Sequence, residues 1–319
     1  MQRVPAARAL ITNDDGIGSP GLLALAGAAR DAGLDVVVAA PDREYSGAAA
    51  AVTAVQQDGR TIVERVQLDG LPDVPAYAVQ AAPAHIVVMA LAGWLDPAPD
   101  LVLSGINKGA NVGRAVLHSG TVGAVLTAGL LDHRGLAVSL DVPLEPGEDP
   151  HWASAAELVP DVLRLLRESP PETTLSLNVP DRPAAEIREL RVATLGRRGT
   201  VRSVVDEVGE AGVRLREIVT GDEEDDPDCD RVLLAAGHAT LTALQGLTAA
   251  PHPPTSWRGA RMSSPETPEA DAAEQAREVE PAADEHGEFS PDLDAAVADV
   301  LDQLAEADLP DDDETRTLM

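Results

Sequence analysis

Cysteine is almost missing from this chain: Cys229 is the only one in 319 residues. A lone thiol excludes an intramolecular disulfide framework and suits a reducing cytoplasm, so a cytoplasmic location is expected. Aromatic residues make up only 2% against 44% apolar overall, which leaves Ala, Val and Leu to fill the core. No stretch approaches the roughly 20 apolar residues of a membrane span. The opening "MQRVPAARALITNDDG" has no continuous apolar segment of the kind a signal peptide carries, so none is expected. Basic residues are scarce, 24 Lys and Arg against 54 Asp and Glu, giving a net charge of −30. Acidity on that scale repels nucleic acid and anionic membranes, and neither is expected as a partner. Two familiar devices are absent as well. There is no GxxxxGK[ST] loop and no GxSxG nucleophile elbow.

The acidic excess is uneven. From Pro251 to the end there are nineteen Asp and Glu against four Arg, about half of the whole excess. This Pro-, Glu-, Asp- and Ala-rich stretch, 249–319, is expected to be disordered, with a short amphipathic helix over 292–307 as the exception. Upstream, short apolar runs alternate with helical patterns. Strands are expected at Arg8–Thr12, Asp35–Ala39, Leu101–Ser104 and Leu136–Leu140, and helices at Pro20–Ala32, Pro83–Leu95, Thr121–Leu131 and Trp152–Glu168. Continuous apolar strands between amphipathic helices predict an α/β fold with a doubly wound, mostly parallel sheet covered on both faces. Beyond Pro170, "TTLSLNVP" reads as another buried strand. "IRELRVATLG" and "RSVVDEVGEAGVRLREIV" read as antiparallel strands, the latter a hairpin turning at Gly209–Gly212, and "HATLTAL" as a last strand. The organisation expected is a folded domain over 1–248, its core ending near 180 and an extension filling 181–248, followed by the tail.

Four polar clusters fall at the carboxyl ends of strands or at a helix start, where open parallel sheets collect ligands. They are Thr12–Gly16, "APDREYSG", "SGINKGANVG" and "HSGTVG". Asp14 or Asp15 would serve as a cap for the following helix, but a cap needs one carboxylate. Two adjacent carboxylates repel unless a cation or donor network absorbs the charge. Asn107 and Asn111 add neutral oxygen donors, spaced to share one face of a glycine-rich loop. Hard oxygen donors without thiolate select Mg²⁺ or Mn²⁺. "HSGTVG" offers hydroxyls, backbone N–H groups and a favourable dipole at a helix start, which suits a phosphate. A hard divalent ion beside an anion site is the equipment of a phosphohydrolase.

Taken in order, "LITNDDGIGSPG", "VVVAAPDREYSGAAAAVT", "DLVLSGINKGANVG" and "LHSGTVGAVLTAG" resemble the survival protein SurE family of metal-dependent nucleoside monophosphate phosphatases. "AVSLD" and "LNVP" continue the match, which runs from about Arg8 to Thr248. The resemblance implies a Rossmann-like core with a C-terminal extension making homodimer or homotetramer contacts. It implies one divalent metal held by Asp14, Asp15, Ser46 and Asn107, and phosphate contacts at Asn111, Ser119, Gly120 and Thr121. It places Arg43 at the rim of the site, touching substrate. The implied activity is hydrolysis of 5′- and 3′-nucleoside monophosphates, with short polyphosphate as a further substrate. The residues themselves point to metal and phosphate; the nucleotide comes from the resemblance. The chain departs from the family pattern at Ala81–Val87, at Ala50, at Thr127 and in "GHATLTALQ" (Gly237–Gln245).

The expected chemistry is attack by a metal-activated water, with Asn111, Ser119 and Thr121 stabilising charge on the phosphoryl oxygens. A phospho-aspartate is the competing route, set aside because both aspartates are committed to the metal. His118 and His85 are expected to pack or hydrogen-bond rather than react. Lys108 is placed equally at phosphate or in solvent. Cys229, with no neighbouring base, is expected to be inert. An alternative reading keeps the metal site but binds a phosphorylated ligand with little turnover. A third makes the acidic tail an interaction scaffold.

Overall fold

The computed structural model describes residues 6–143, 149–199, 201–209, 212–219 and 226–246, within one compact unit that ends at Gly246. The expected tail and its helix at 292–307 lie outside the described residues. Thirteen strands occur among them. They are β1 (Arg8–Thr12), β2 (Asp35–Pro41), β3 (Gln56–Gln57), β4 (Arg60–Thr61), β5 (Val63–Val66), β6 (Ala76–Val79), β7 (Leu101–Lys108), β8 (Arg134–Asp141), β9 (Thr174–Pro180), β10 (Arg188–Val192), β11 (Val201–Gly209), β12 (Gly212–Val219) and β13 (His238–Leu244). The α-helices are α1 (Pro20–Asp31), α2 (Pro83–Met89), α3 (Gly120–Leu130), α4 (Trp152–Ala156), α5 (Val159–Glu168) and α6 (Asp230–Ala235).

Nine strands form one sheet in the order β10-β13-β9-β8-β7-β1-β2-β6-β5. β6, β2, β1, β7, β8 and β9 run parallel, while β5 and β13 are antiparallel to their inner neighbours. Alternation along the central strands feeds two cores. Ala9, Ile11, Val36, Val38, Leu101 and Leu103 face one way with the buried stripes of α1 and α5; Leu10, Val37, Ala39 and Val102 face the other with α2 and α3. Both stripes have helical spacing, Leu22, Leu25, Ala26 and Ala29 on α1 and Val159, Val162, Leu163 and Leu166 on α5. The fold is therefore α/β, with a mostly parallel sheet covered on both faces.

Three sequence expectations need correction. The helix expected over Pro83–Leu95 stays α-helical only to Met89 and ends in a π-helical turn, Ala90–Trp94, closed by Gly93 at φ 99°. The helix expected over Trp152–Glu168 is two helices, because Pro160 starts α5 in its first turn and lacks the N–H that would continue α4. β10 lies parallel to β13, not in an antiparallel arrangement, since the chain crosses over through α6 before returning as β13. The hairpin of β11 and β12 turns at Gly209–Gly212 as the sequence predicts. Among the described residues no helix is long and apolar enough to cross a membrane.

The chain builds β1, β2 and β6 outward in one direction, then returns to lay β7 on the opposite side of β1. That reversal opens a crevice at the carboxyl ends of β1 and β7, where Asp14 and Asn107 stand.

Candidate active site

The loop after β1 is organised by Asn13, not by either aspartate. Its amide donates to the Gly16 carbonyl (3.1 Å) and to Ser19 Oγ (2.7 Å), and its Oδ1 accepts from the Gly16 N–H (3.2 Å). Gly16 has φ 97°, and an added Cβ there would stand 3.3 Å from the Arg43 backbone, so the tight turn requires glycine. Ser19 caps α1 through the Leu22 N–H (3.3 Å). The capping role weighed for Asp14 and Asp15 is thus filled by another residue, and both carboxylates turn to the crevice.

Asp14 is 6% exposed. Burial pushes its carboxyl above the usual range. The Thr121 hydroxyl and the backbone N–H groups of Asp14, Thr121 and Gly120 oppose that rise. Thr121, fully buried, donates a short hydrogen bond to Asp14 and also lies 3.2 Å from Asn107 Oδ1. The Asn107 amide is oriented by its Nδ2, which donates to the Gly109 carbonyl (2.8 Å), so its carbonyl oxygen faces the carboxylates. Asp15 is half-buried and accepts from the Lys108 N–H at 3.1 Å. Burial and then the charge of Asp14 push it up to about 6, with Glu44 adding to the rise.

An open cavity of about 420 Å³ lies over this pair. Asp14, Asp15, Ser46, Asn107, Asn111 and Ser119 all line it. Ser46 is exposed and bonds Glu44 at 2.5 Å. Asn111 is held from outside its own loop. Its N–H donates to Asn178 Oδ1 (2.8 Å), its carbonyl accepts from Asn178 Nδ2 (2.9 Å), and its amide donates to Ser139 Oγ (2.9 Å). Sequence reasoning missed Asn178, Ser139 and Glu44. Asn178 lay in the quoted "LNVP" and Ser139 in "AVSLD", but their pairings with Asn111 span positions that only the sheet brings together, whereas Glu44 is a local partner of Ser46 in "APDREYSG".

The start of α3 stands against Asp14. Ser119 is its cap, accepting from the Val122 N–H at 3.1 Å, while the Gly123 N–H bonds the Ser119 carbonyl at 2.8 Å. Gly120 and Thr121 stand against Asp14, and their N–H groups lower its carboxyl pKa against the effect of burial. Gly120 is needed because a Cβ would sit 2.8 Å from Asp14 Oδ2. Thr121 is likewise committed to Asp14 and Asn107. Of the residues named for phosphate, Asn111 and Ser119 reach the cavity, whereas Gly120 and Thr121 do not line it. Arg43 lines an adjoining cavity, its guanidinium 5.3 Å from the Tyr45 ring centre.

His118 is exposed on the wall of the Asp14 cavity. His85 is buried on α2 with Nε2 3.2 Å from Thr61 Oγ1, and burial lowers its pKa. Cys229 is buried and free at the start of α6. Two adjacent carboxylates, an oriented amide oxygen and a hydroxyl form a hard oxygen set without thiolate or imidazole. The crowded negative charge has only Lys108 as a neighbouring cationic side chain in the cavity wall, which His118 also lines. These donors fit a hard divalent cation.

Residues 9–202 match the family model for Survival protein SurE. The 5′-nucleotidase SurE of Dehalococcoides mccartyi is 37% identical over 247 residues, covering 74% of this chain and 88% of that protein. The 5′/3′-nucleotidase SurE of Serratia proteamaculans is 36% identical over 242 residues, covering 75% and 90%. A crystal structure of the SurE protein from Aquifex aeolicus superposes with a TM-score of 0.60 at 29% identity, covering 76% of this chain and 94% of the other. With sheet, crevice and acidic pair all in place, the chain belongs to the Survival protein SurE family.

Proposed function

We propose that the protein is a metal-dependent nucleotidase that hydrolyses nucleoside 5′-monophosphates, and 3′-monophosphates or short polyphosphate besides, to release phosphate. One observation carries the reading. The adjacent carboxylates Asp14 and Asp15 share a single cavity with Ser46, Asn107, Asn111 and Ser119 at the switch point of the sheet. The activity named for the relatives supports the substrate class.

Asp14, Asp15, Ser46 and Asn107 would hold one Mg²⁺ or Mn²⁺. When bound, such an ion supplies Lewis-acid polarisation of the phosphoryl group and a water of lowered pKa. The protein's own residues do the rest. Asn111, locked by Asn178 and Ser139, presents a fixed amide edge to the phosphoryl oxygens. Ser119 keeps its hydroxyl hydrogen available, because its Oγ is used as an acceptor by the Val122 N–H. Thr121 acts as a positioning residue, fixing Asp14 and Asn107 relative to each other. His118 is expected from the sequence to pack or hydrogen-bond, but its exposure on the cavity wall supports the role of an acid for the leaving oxygen. The catalytic domain is taken as 1–248. The exposed Val192, Val205 and Val213 on β10 and the hairpin support self-association through the extension from 181 to 248.

The test is phosphate release from a panel of nucleoside monophosphates with Mn²⁺ or Mg²⁺. Asp14→Asn should lose at least a hundredfold in kcat with the circular dichroism spectrum unchanged. Substantial residual turnover would refute the assignment. Nucleotide binding without release in the wild type would instead favour a binding protein that keeps the metal site.

A further inference from the structure

Lys108 is the only lysine in the chain, against 23 arginines. It stands where two cavities meet, lining both the Asp14 cavity and a neighbour of about 360 Å³. Only Asp15 shares that position with it. The neighbouring cavity also gathers scarce residues. The chain has six aromatics, of which Tyr45, Tyr77, Trp94 and Trp152 are described. Tyr77 and Trp94 pair with each other at 5.3 Å. Trp152 lines the cavity, and Tyr45 stacks on Arg43, which lines it too.

We propose that this second cavity is the nucleoside subsite, with Trp152 carrying the face of the base and Lys108 the binding residue at the junction of sugar and phosphate. The inference rests on the nucleotidase reading, which puts the scissile phosphate over Asp14 and Asp15. Its leaving group must then extend away from that cavity, and the adjoining one shares two walls with it. The volume falls in the range of small-molecule sites, about 300–1,000 Å³. Trp152 is a rigid platform. Its ring packs on the first turn of α1 at Gly21, where an added Cβ would meet Cζ3 at 2.9 Å and the Ile106 carbonyl at 2.0 Å. An aromatic face of this kind stacks with any base, and its neighbours Arg43 and Asp42 present polar groups to the sugar edge. Lys108 contacts Asp15 through its backbone N–H, which leaves the ammonium group on its flexible stem to reach the substrate. The charge of the cavity balances, Asp15 and Asp42 against Arg43 and Lys108. That suits a neutral nucleoside better than a second phosphate.

The experiment compares AMP with glycerol 2-phosphate, which lacks a base, and uses adenosine as an inhibitor. Trp152→Leu and Lys108→Ala should lower kcat/KM for AMP about tenfold or more, with a smaller loss for glycerol 2-phosphate. Adenosine inhibition should weaken in parallel. Lys108 is exposed, so its variant remains informative if Trp152→Leu does not fold. Equal losses on both substrates, or unchanged adenosine inhibition, would overturn the subsite. A loss confined to tripolyphosphate would overturn it in favour of a second phosphate. If the wild type releases phosphate from no nucleotide, the nucleotidase reading fails by itself. Calorimetric binding of adenosine to wild type and variants then still decides the subsite.

Discussion

Replacing Asp15 by Asn should make the metal-free protein more stable while removing its response to metal. Asp15 is pushed up from 3.8 to about 6, first by burial and next by the charge of Asp14. The native chain therefore holds that proton more tightly than the unfolded chain does. As pH rises from about 4 to 6 the metal-free protein loses stability, and above about 6 it carries the whole penalty, about 3 kcal/mol. Asn keeps an acceptor for the Lys108 N–H but carries no charge. Allowing for solvent at the half-buried carboxylate, the gain at pH 7.5 should be about 1–3 kcal/mol. For a folded unit of this size that raises Tm by about 3–10 °C. The assay is thermal unfolding after chelator treatment, with and without Mn²⁺, at pH 4, 5, 6 and 7.5. The variant should melt above wild type at pH 7.5, the gap should close toward pH 4, and Mn²⁺ should stabilise wild type far more than the variant. A variant that melts at or below wild type in chelator at pH 7.5, or that gains as much from Mn²⁺, would refute the account of the pair.

Thr121→Val keeps shape but removes the hydroxyl that joins Asp14 to Asn107. Metal affinity, read by calorimetric titration, should fall by about 10–100-fold with little change in Tm. Gly120→Ala forces a methyl group to 2.8 Å from Asp14 Oδ2, so turnover should collapse for a stability loss of about 1–3 kcal/mol; wild-type kcat would show that Asp14 has room to shift. Asn178→Ala leaves both backbone groups of Asn111 unpaired. It should cost about 2–4 kcal/mol in urea unfolding and raise KM for nucleotide, whereas a pure stability effect with unchanged KM would remove Asn178 from the site.

The strongest elements were legible because their residues repeat the period of the structure they form. Arg8–Thr12 and His238–Leu244 are continuous apolar or β-branched runs and fold with the bounds the sequence predicts. The hairpin was marked by its glycines. β6 was missed because "AYAV" is short and mostly Ala, too slight a signal beside a helix start at Pro83. The direction of β10 is not written in β10 at all. It follows from where α6 delivers β13, an outcome of tertiary packing. The site divides the same way. The aspartate pair and the Asn-bearing loop are local motifs. The partnership of Asn111 with Asn178, 67 residues away, exists only because β8 and β9 lie beside β7.

The two aspartates, adjacent in sequence and similar on paper, come out unequal. Asp14 is enclosed, with the Thr121 hydroxyl and the N–H groups at the start of α3 directed at it. Those donors oppose the rise that burial imposes on its carboxyl without reversing it. Asp15 has one backbone donor, stands against the like charges of Asp14 and Glu44, and borders both cavities. The start of α3 is therefore turned toward Asp14. In the proposed site, phosphate recognition then falls to Asn111 and Ser119. Such a division makes Asp14 the fixed point of the site and Asp15 the residue whose charge most depends on what is bound. It also explains why positioning residues as distant in sequence as Thr121 and Asn178 bear on a motif that begins at Thr12.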